Sequence, residues 1–299
     1  MDATRLMFKP GLMQGERILI TGGGTGLGRE MAEAFLSLGA RVVICGRRGE
    51  VLKETAQALT ERWGGDVMPI ACDIRSAEAV AEMVEDAWAS GGLTGLVNNA
   101  AGNFISRTED LSAKGFEAVT SIVFRGSFYV TLEVGKRWIE AKQRGSVLSI
   151  LATTVWRGSP FMTPSAMSKA GVNVMTQSLA VEWAHHGIRL NAIAPGPFPT
   201  PGAGDRLSPA VAGAEGGLNA RGNPMGRVGE MHELCNLAVL LMGPGAEYIN
   251  GQTIAIDGAA FLGGGQMRPE LFTWGDEEWA AARQSIRAVN DKDRAQRTT

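Results

Sequence analysis

Three groups of residues in this chain have the types and spacing to do chemistry. The first is Thr21-Gly-Gly-Gly-Thr-Gly-Leu-Gly28, between an apolar run at 17–21 and a segment with helical spacing from Gly26. Glycines let a backbone turn sharply and approach a pyrophosphate, while the following helix offers free N–H groups and the positive end of its dipole. Gly22, Gly24, Thr25, Gly26, Leu27 and Gly28 are therefore candidate cofactor contacts. The second is Arg47-Arg48, directly after the next apolar run. A dinucleotide fold specific for NAD places Asp or Glu there to hold the ribose hydroxyls. A guanidinium instead grips a 2′-phosphate with two hydrogen bonds, so this pair predicts NADP(H). Asp73, after the third apolar run, can accept a hydrogen bond from the adenine amino group. The third is Lys169, on an otherwise apolar, small-residue helix face, where an ammonium is costly unless it has a task.

The elements that position these residues alternate strand and helix from Arg17 to about Phe261. Strands are expected at 17–21, 42–45, 67–71, 96–99, 146–151, 188–193 and 253–256. Helices are expected at 26–38, up to Trp63, after a Ser76 N-cap, in two stretches over 112–142, at 163–185 and at 230–242. Strands apolar throughout and separated by helices indicate an α/β fold, a single Rossmann-like doubly wound parallel sheet of about seven strands. One domain spans 1–261, with a Gly-, Pro- and Ala-rich substrate loop at 195–224 after a strand end. The stretch 262–299 is a C-terminal extension with an expected helix at 277–289.

The chain has 299 residues, 44% apolar and 20% charged, with a net charge of −2. That composition excludes a mostly disordered chain and carries no electrostatic footprint for nucleic acid. No apolar run approaches the roughly 18 residues of a membrane span, and residues 1–10 lack an apolar signal core. Three widely spaced cysteines, Cys45, Cys72 and Cys235, argue against a disulfide framework and for a reducing compartment, taken as the cytoplasm. With three histidines and no third ligand near His185-His186, no metal site is expected. There are only two tyrosines, Tyr129 and Tyr248.

The glycine turn, Asn98-Asn-Ala-Ala-Gly102, Lys169 and Pro195-Gly-Pro197 together resemble the short-chain dehydrogenase/reductase family over about 15–261. Within it, the stretches 98–106, 131–136, 164–171 and 191–197 are similar to 2,4-dienoyl-CoA reductases. The resemblance implies hydride delivery from NADPH to an acyl-CoA and a homotetramer built on long helices. By that resemblance Lys169 matches the active-site lysine that also touches the nicotinamide ribose. Asn103 matches the asparagine on the thioester oxygen, and Ser165 the serine standing where most of the family has tyrosine. Arg75, Phe104 and Ser112 match acyl-CoA contacts. Arg47 and Asp73 match NADP contacts, with Ile74, Asn99 and Ala100 beside them, and Pro195, Gly196 and Phe198 match the nicotinamide lining.

The departures shape the chemistry. The usual tyrosine is Ser165, the usual serine Ala152, and the usual asparagine of the central helix Val123. The tyrosine that dienoyl-CoA reductases recruit falls at Thr154. An aliphatic hydroxyl is a far weaker acid than a phenol of pKa about 10, so reducing an isolated ketone lacks its proton donor. Hydride addition to a conjugated thioester needs mainly an oxyanion stabilised by neutral donors. Asn103, Thr154 and a water held by Ser165 or Lys169 can supply them. Trp156, two residues past Thr154, faces the same side if the chain is extended, and adds an indole N–H. Structural readings stand beside these: Ser112 as an N-cap, Ser165 as a scaffold residue, Phe104 as core, Arg75 as surface. The expected function is thus NADPH-dependent reduction of an unsaturated acyl-CoA. The alternatives are an alcohol or carbonyl oxidoreductase and an NADP(H)-binding protein with little catalysis.

Overall fold

A computed structural model of the chain describes residues 1–200, 223–263, 275–281 and 284. Within the compact unit Met1–Phe261, seven parallel strands form one sheet in the order β3-β2-β1-β4-β5-β6-β7. They are β1 (Arg17–Thr21), β2 (Arg41–Gly46), β3 (Val67–Ala71), β4 (Gly95–Asn98), β5 (Gly145–Ile150), β6 (Ile188–Pro195) and β7 (Thr253–Ile256). The expected α/β doubly wound sheet is therefore the fold. The helices are α1 (Gly26–Ser37), α2 (Gly49–Trp63), α3 (Ala77–Ala89), α4 (Ala113–Thr120), α5 (Ser127–Ala141), α6 (Thr154–Arg157), α7 (Thr163–Glu182), α8 (Met231–Met242) and α9 (Ala260–Gly263).

The two faces of the sheet have separate cores. Ile18, Ile20, Val42 and Ile44 pack with Met31 and Phe35 of α1, Leu52 and Leu59 of α2, and Leu234 and Val239 of α8. The alternate residues Leu19, Val43 and Val147 pack with Val80 and Val84 of α3, Val130, Val134 and Trp138 of α5, and Ala180 of α7. Burial on both faces explains why β1, β4 and β5 are buried throughout and carry no polar alternation. Chain order reverses between β1 and β4, which lie side by side in register Leu19↔Leu96. The carboxyl ends of strands flanking such a switch point form the ligand crevice of this architecture.

Three elements depart from the sequence reading, the short α9 among them. Residues 112–142 hold a π turn, Ser121–Gly126, between α4 and α5. Hydroxyls of Ser121 and Ser127 donate back to the carbonyls of Glu117 and Val123, four residues earlier, and so compete with the regular ladder. Helix α6 was not anticipated at all. Most of the expected loop at 195–224, from 201 to 222, lies outside the described residues, as does most of the expected helix at 277–289. In the second unit, residues 276–281 are helical, and Gly275 N–H donates to Glu278.

Candidate active site

The glycine turn builds a cradle in which side chains do not fit. Gly22 and Gly26 have left-handed φ of 67° and 56°. A Cβ on Gly28 would stand 2.4 Å from the Gly22 carbonyl oxygen and 2.5 Å from Asn99 Nδ2, and one on Gly23 would stand 2.6 Å from Ile44. Thr25 is the N-cap of α1 yet makes no side-chain cap, so the first turn keeps its N–H groups for an anion. Thr21 Oγ1 accepts from the N–H groups of Asn99 and Ala100 at 3.0 Å each, and Asn99 Nδ2 donates to the Thr21 carbonyl at 2.9 Å. Asn99 and Ala100 thus tie β4 to the turn. Their donors are committed inside the protein, and they shape the cradle rather than offer N–H groups to a ligand.

The second corner of the crevice lies past β2. Arg47 and Arg48 are exposed, and neither guanidinium forms a hydrogen bond or ion pair with another described residue. Arg48 is the N-cap of α2 and makes no side-chain cap. Two unpartnered guanidiniums beside a phosphate cradle suit a 2′-phosphate, so the residues present fit NADP(H). Asp73 is held differently from the expectation. Arg75 Nε donates to both its carboxylate oxygens, at 2.9 and 3.0 Å. That clamp, with the charges of Arg75 and Arg47, keeps Asp73 below the usual carboxylate range. Arg75 is thus engaged by Asp73, not projecting free for a CoA phosphate. Ile74 is buried under Gly126, where a Cβ would lie 2.7 Å from it, so only its backbone can face a cofactor.

The catalytic corner forms where β5 ends and α7 begins. Lys169 Nζ donates to the carbonyls of Ile150 at 3.1 Å and Leu151 at 2.7 Å. Burial alone lowers its pKa from the ordinary 10.5 to about 8. Ser165 is buried in the first turn of α7, and Thr154 opens α6. Among the described residues, neither hydroxyl has a hydrogen-bond partner. The amide of Asn103 donates to Met162 Sδ at 3.4 Å, a weak acceptor, while its oxygen accepts from Phe104 N–H at 2.9 Å. Its N–H groups are therefore nearly uncommitted. Past β6, Gly196 N–H donates to the Ile256 carbonyl at 3.0 Å, and a Cβ there would meet Asp257 at 2.8 Å. Pro195 pairs with Ile256 in the last ladder, so Pro195 and Gly196 are fixed at the crevice rim.

Two expectations need correcting. Thr154 and Trp156 do not share a side: α6 is helical, and two residues at roughly 100° each point about 200° apart. The Trp156 ring packs on Phe261, with centroids 4.8 Å apart. Phe198 packs into the core against Gly229, where a Cβ would sit 2.3 Å from it, and with Pro197 and Asp257 it also lines a cavity at this end of the sheet. Ser112 is the N-cap of α4, accepting from Gly115 N–H at 3.1 Å, so the capping reading holds. Phe104, by contrast, is exposed and not core. Sequence reasoning also missed the π turn that carries Val123; π turns are over-represented at functional sites, and the flanking serines were its only signal.

A family profile described as enoyl-(acyl carrier protein) reductase matches residues 22–259. The chain belongs to the short-chain dehydrogenase/reductase family. Among curated relatives of this oxidoreductase, a probable 2,4-dienoyl-CoA reductase of Caenorhabditis elegans is 40% identical, covering 97% of this chain and 95% of the relative. A solved structure titled citronellol catabolism dehydrogenase, from Pseudomonas aeruginosa, is 39% identical with a TM-score of 0.73, covering 86% of this chain and 99% of that one. A putative NAD(P)-dependent gluconate 5-dehydrogenase of Beutenbergia cavernae, titled as holding NADP at low occupancy, is 25% identical with a TM-score of 0.75, covering 85% and 100%. The profile match takes in residues 22–28 of the glycine turn, 98–102 and Lys169.

Proposed function

We propose that this short-chain dehydrogenase/reductase reduces a conjugated, unsaturated acyl-CoA with NADPH, in the manner of a 2,4-dienoyl-CoA reductase. The observation that carries the reading is the donor set at the catalytic corner. It holds an amide at Asn103 engaged only weakly by a thioether, two hydroxyls at Thr154 and Ser165 with no partner among the described residues, and a half-buried ammonium at Lys169, with no phenol. The glycine cradle and Arg47 would hold NADPH, which would supply the hydride. Asn103 donates to the thioester oxygen as negative charge spreads onto it. Neutral donors aimed at that oxygen suffice, because the charge is delocalised and the carbon takes its proton from water. Lys169 keeps a positive charge near the developing anion and is oriented by the carbonyls of Ile150 and Leu151 at the end of β5. Hydride and proton add across the conjugated system, leaving an enoyl-CoA.

The same reading assigns a homotetramer. Met167, Val174 and Val181 recur every seven residues along α7 and are exposed, as are Phe124 and Phe128. A contiguous apolar stripe of that kind marks a protein interface. The cytoplasm as compartment rests on three unpaired, buried thiols.

The test is NADPH oxidation by the purified protein with a medium-chain 2,4-dienoyl-CoA, an enoyl-CoA and a simple ketone in parallel. Turnover on the dienoyl thioester is expected. Turnover on the ketone alone would favour an alcohol or carbonyl oxidoreductase, the reading suggested by the likeness to the citronellol catabolism dehydrogenase. NADPH binding with no turnover on any of the three would favour a non-catalytic role.

A further inference from the structure

Three residues other than glycine have left-handed φ among the described residues: Lys142, Phe161 and Ala259. Lys142 ends a helix, where that conformation is common. Phe161, at φ 63°, is different. It carries a bulky ring and stands two residues before α7, and such a residue in this region is a true outlier. Its ring is 61% exposed, so burial of the ring does not offset the strain.

The surroundings force the conformation. The Phe161 carbonyl accepts from Ser106 N–H at 2.9 Å. Thr108 Oγ1 and Thr163 Oγ1 lie 3.2 Å apart, and Asn103 Nδ2 reaches Met162 Sδ. Segment 103–108 is thereby strapped to segment 161–163. On the strapped partner, Phe104 and Ile105 are also exposed, at 36% and 43%. Both segments run directly into the catalytic corner: Asn103 precedes Phe104, and Ser165 follows Phe161 by four residues. Backbone strain that persists under such over-determination clusters at ligand clamps.

We infer that Phe161, with Phe104 and Ile105, clamps the aliphatic tail of the substrate, and that Phe161 sets the chain-length preference. The inference rests on the acyl-CoA reading. The clamp offers two rings and a branched alkyl group, with no side-chain hydrogen-bond donor or acceptor, which is the chemistry that recognises methylenes. Asn103 takes the thioester end of the same ligand.

The experiment compares wild type with Phe161→Ala, Phe161→Gly and Phe161→Leu on a series of 2,4-dienoyl-CoAs from six to twelve carbons. Binding of the matching saturated acyl-CoAs in the presence of NADP+ is measured by calorimetry. Wild-type kcat/KM is expected to rise with length, and Phe161→Ala to lose about tenfold at the long end relative to the short end, the worth of one to two buried methylenes. Phe161→Leu keeps most of the slope. Phe161→Gly loses it as Phe161→Ala does, without a lower Tm, because glycine relieves the left-handed strain. A merely structural role predicts the reverse: a lower Tm with an unchanged slope. Variants that keep the wild-type slope in both turnover and binding overturn the inference and leave the acyl-CoA reading standing. If wild type reduces none of the dienoyl thioesters, the reading of the reaction falls. The clamp then stands only if acyl-CoA binding still depends on length in a way Phe161→Ala flattens. If binding shows no length dependence either, the clamp falls with it.

Discussion

Replacing Lys169 by methionine tests the catalytic corner through stability and activity at once. Bringing its ammonium from 10.5 to about 8 by burial corresponds to roughly 3 kcal/mol of disfavoured charge. The native protein gives up this proton at lower pH than the unfolded chain does. Between about pH 8 and 10.5 the unfolded chain therefore binds more protons, and stability rises with pH. Methionine has no such proton. Below pH 8, the substitution removes the charge penalty but leaves the carbonyls of Ile150 and Leu151 without their donor, at about 1–3 kcal/mol each. The two effects nearly offset, so Tm at pH 7 is expected to move little. Above pH 8, the wild type gains what the variant does not, and the difference in Tm grows by about 5–8 °C at full amplitude. In the same window, kcat/KM of the wild type falls as the ammonium neutralises, whereas Lys169→Met is slow at every pH, by at least about a hundredfold. Thermal melts and initial rates from pH 7 to 9.5 read both. A Tm difference that stays flat through pH 8, or a wild-type rate that does not bend there, would refute the argument that a buried, charged Lys169 serves the reaction.

Three shorter predictions follow from the cofactor crevice and from α4. Arg47→Ser is expected to weaken NADPH binding about 10- to 100-fold, the worth of charge-assisted hydrogen bonds, and to leave NADH unchanged; fluorescence titration of both nucleotides measures the ratio. Gly28→Ala places a Cβ 2.4 Å from the Gly22 carbonyl oxygen, so nucleotide affinity and Tm should fall together. Ser112→Ala should cost about 1 kcal/mol of stability through the lost N-cap while KM for acyl-CoA stays unchanged, and a rise in KM would restore a ligand role for Ser112.

What could be read ahead of the structure divides by where each residue's partner lies. The N-cap of Ser76 is fixed by a neighbour three residues away, and the glycine turn and the apolar strands carry their signal in their own composition, although Asn99 and β2 hold them from far along the chain. The clamp of Arg75 on Asp73 is local too, two residues apart, and an acid followed by arginine at a strand end had the signature of an internal pair before it had that of a CoA contact. Trp156 failed for the opposite reason. Thr154-Val-Trp-Arg157 carries a β-branched pair and follows a strand, so period-2 reasoning extends the chain; what holds the ring is Phe261, more than a hundred residues away. Lys169 lies between the two cases. Its isolation on a small-residue face announced a task, but its partners are the backbone carbonyls of Ile150 and Leu151 at the end of β5, which leave no mark in any side chain. The missing tyrosine belongs to the same class. A motif records which hydroxyl is absent, while the proposed replacement is a geometry: an amide at Asn103 whose only acceptor among the described residues is a thioether, and two hydroxyls that no described residue engages. Polar groups held this loosely beside a half-buried ammonium have little structural reason to be there, which is why the proposed reduction assigns them to the substrate oxygen.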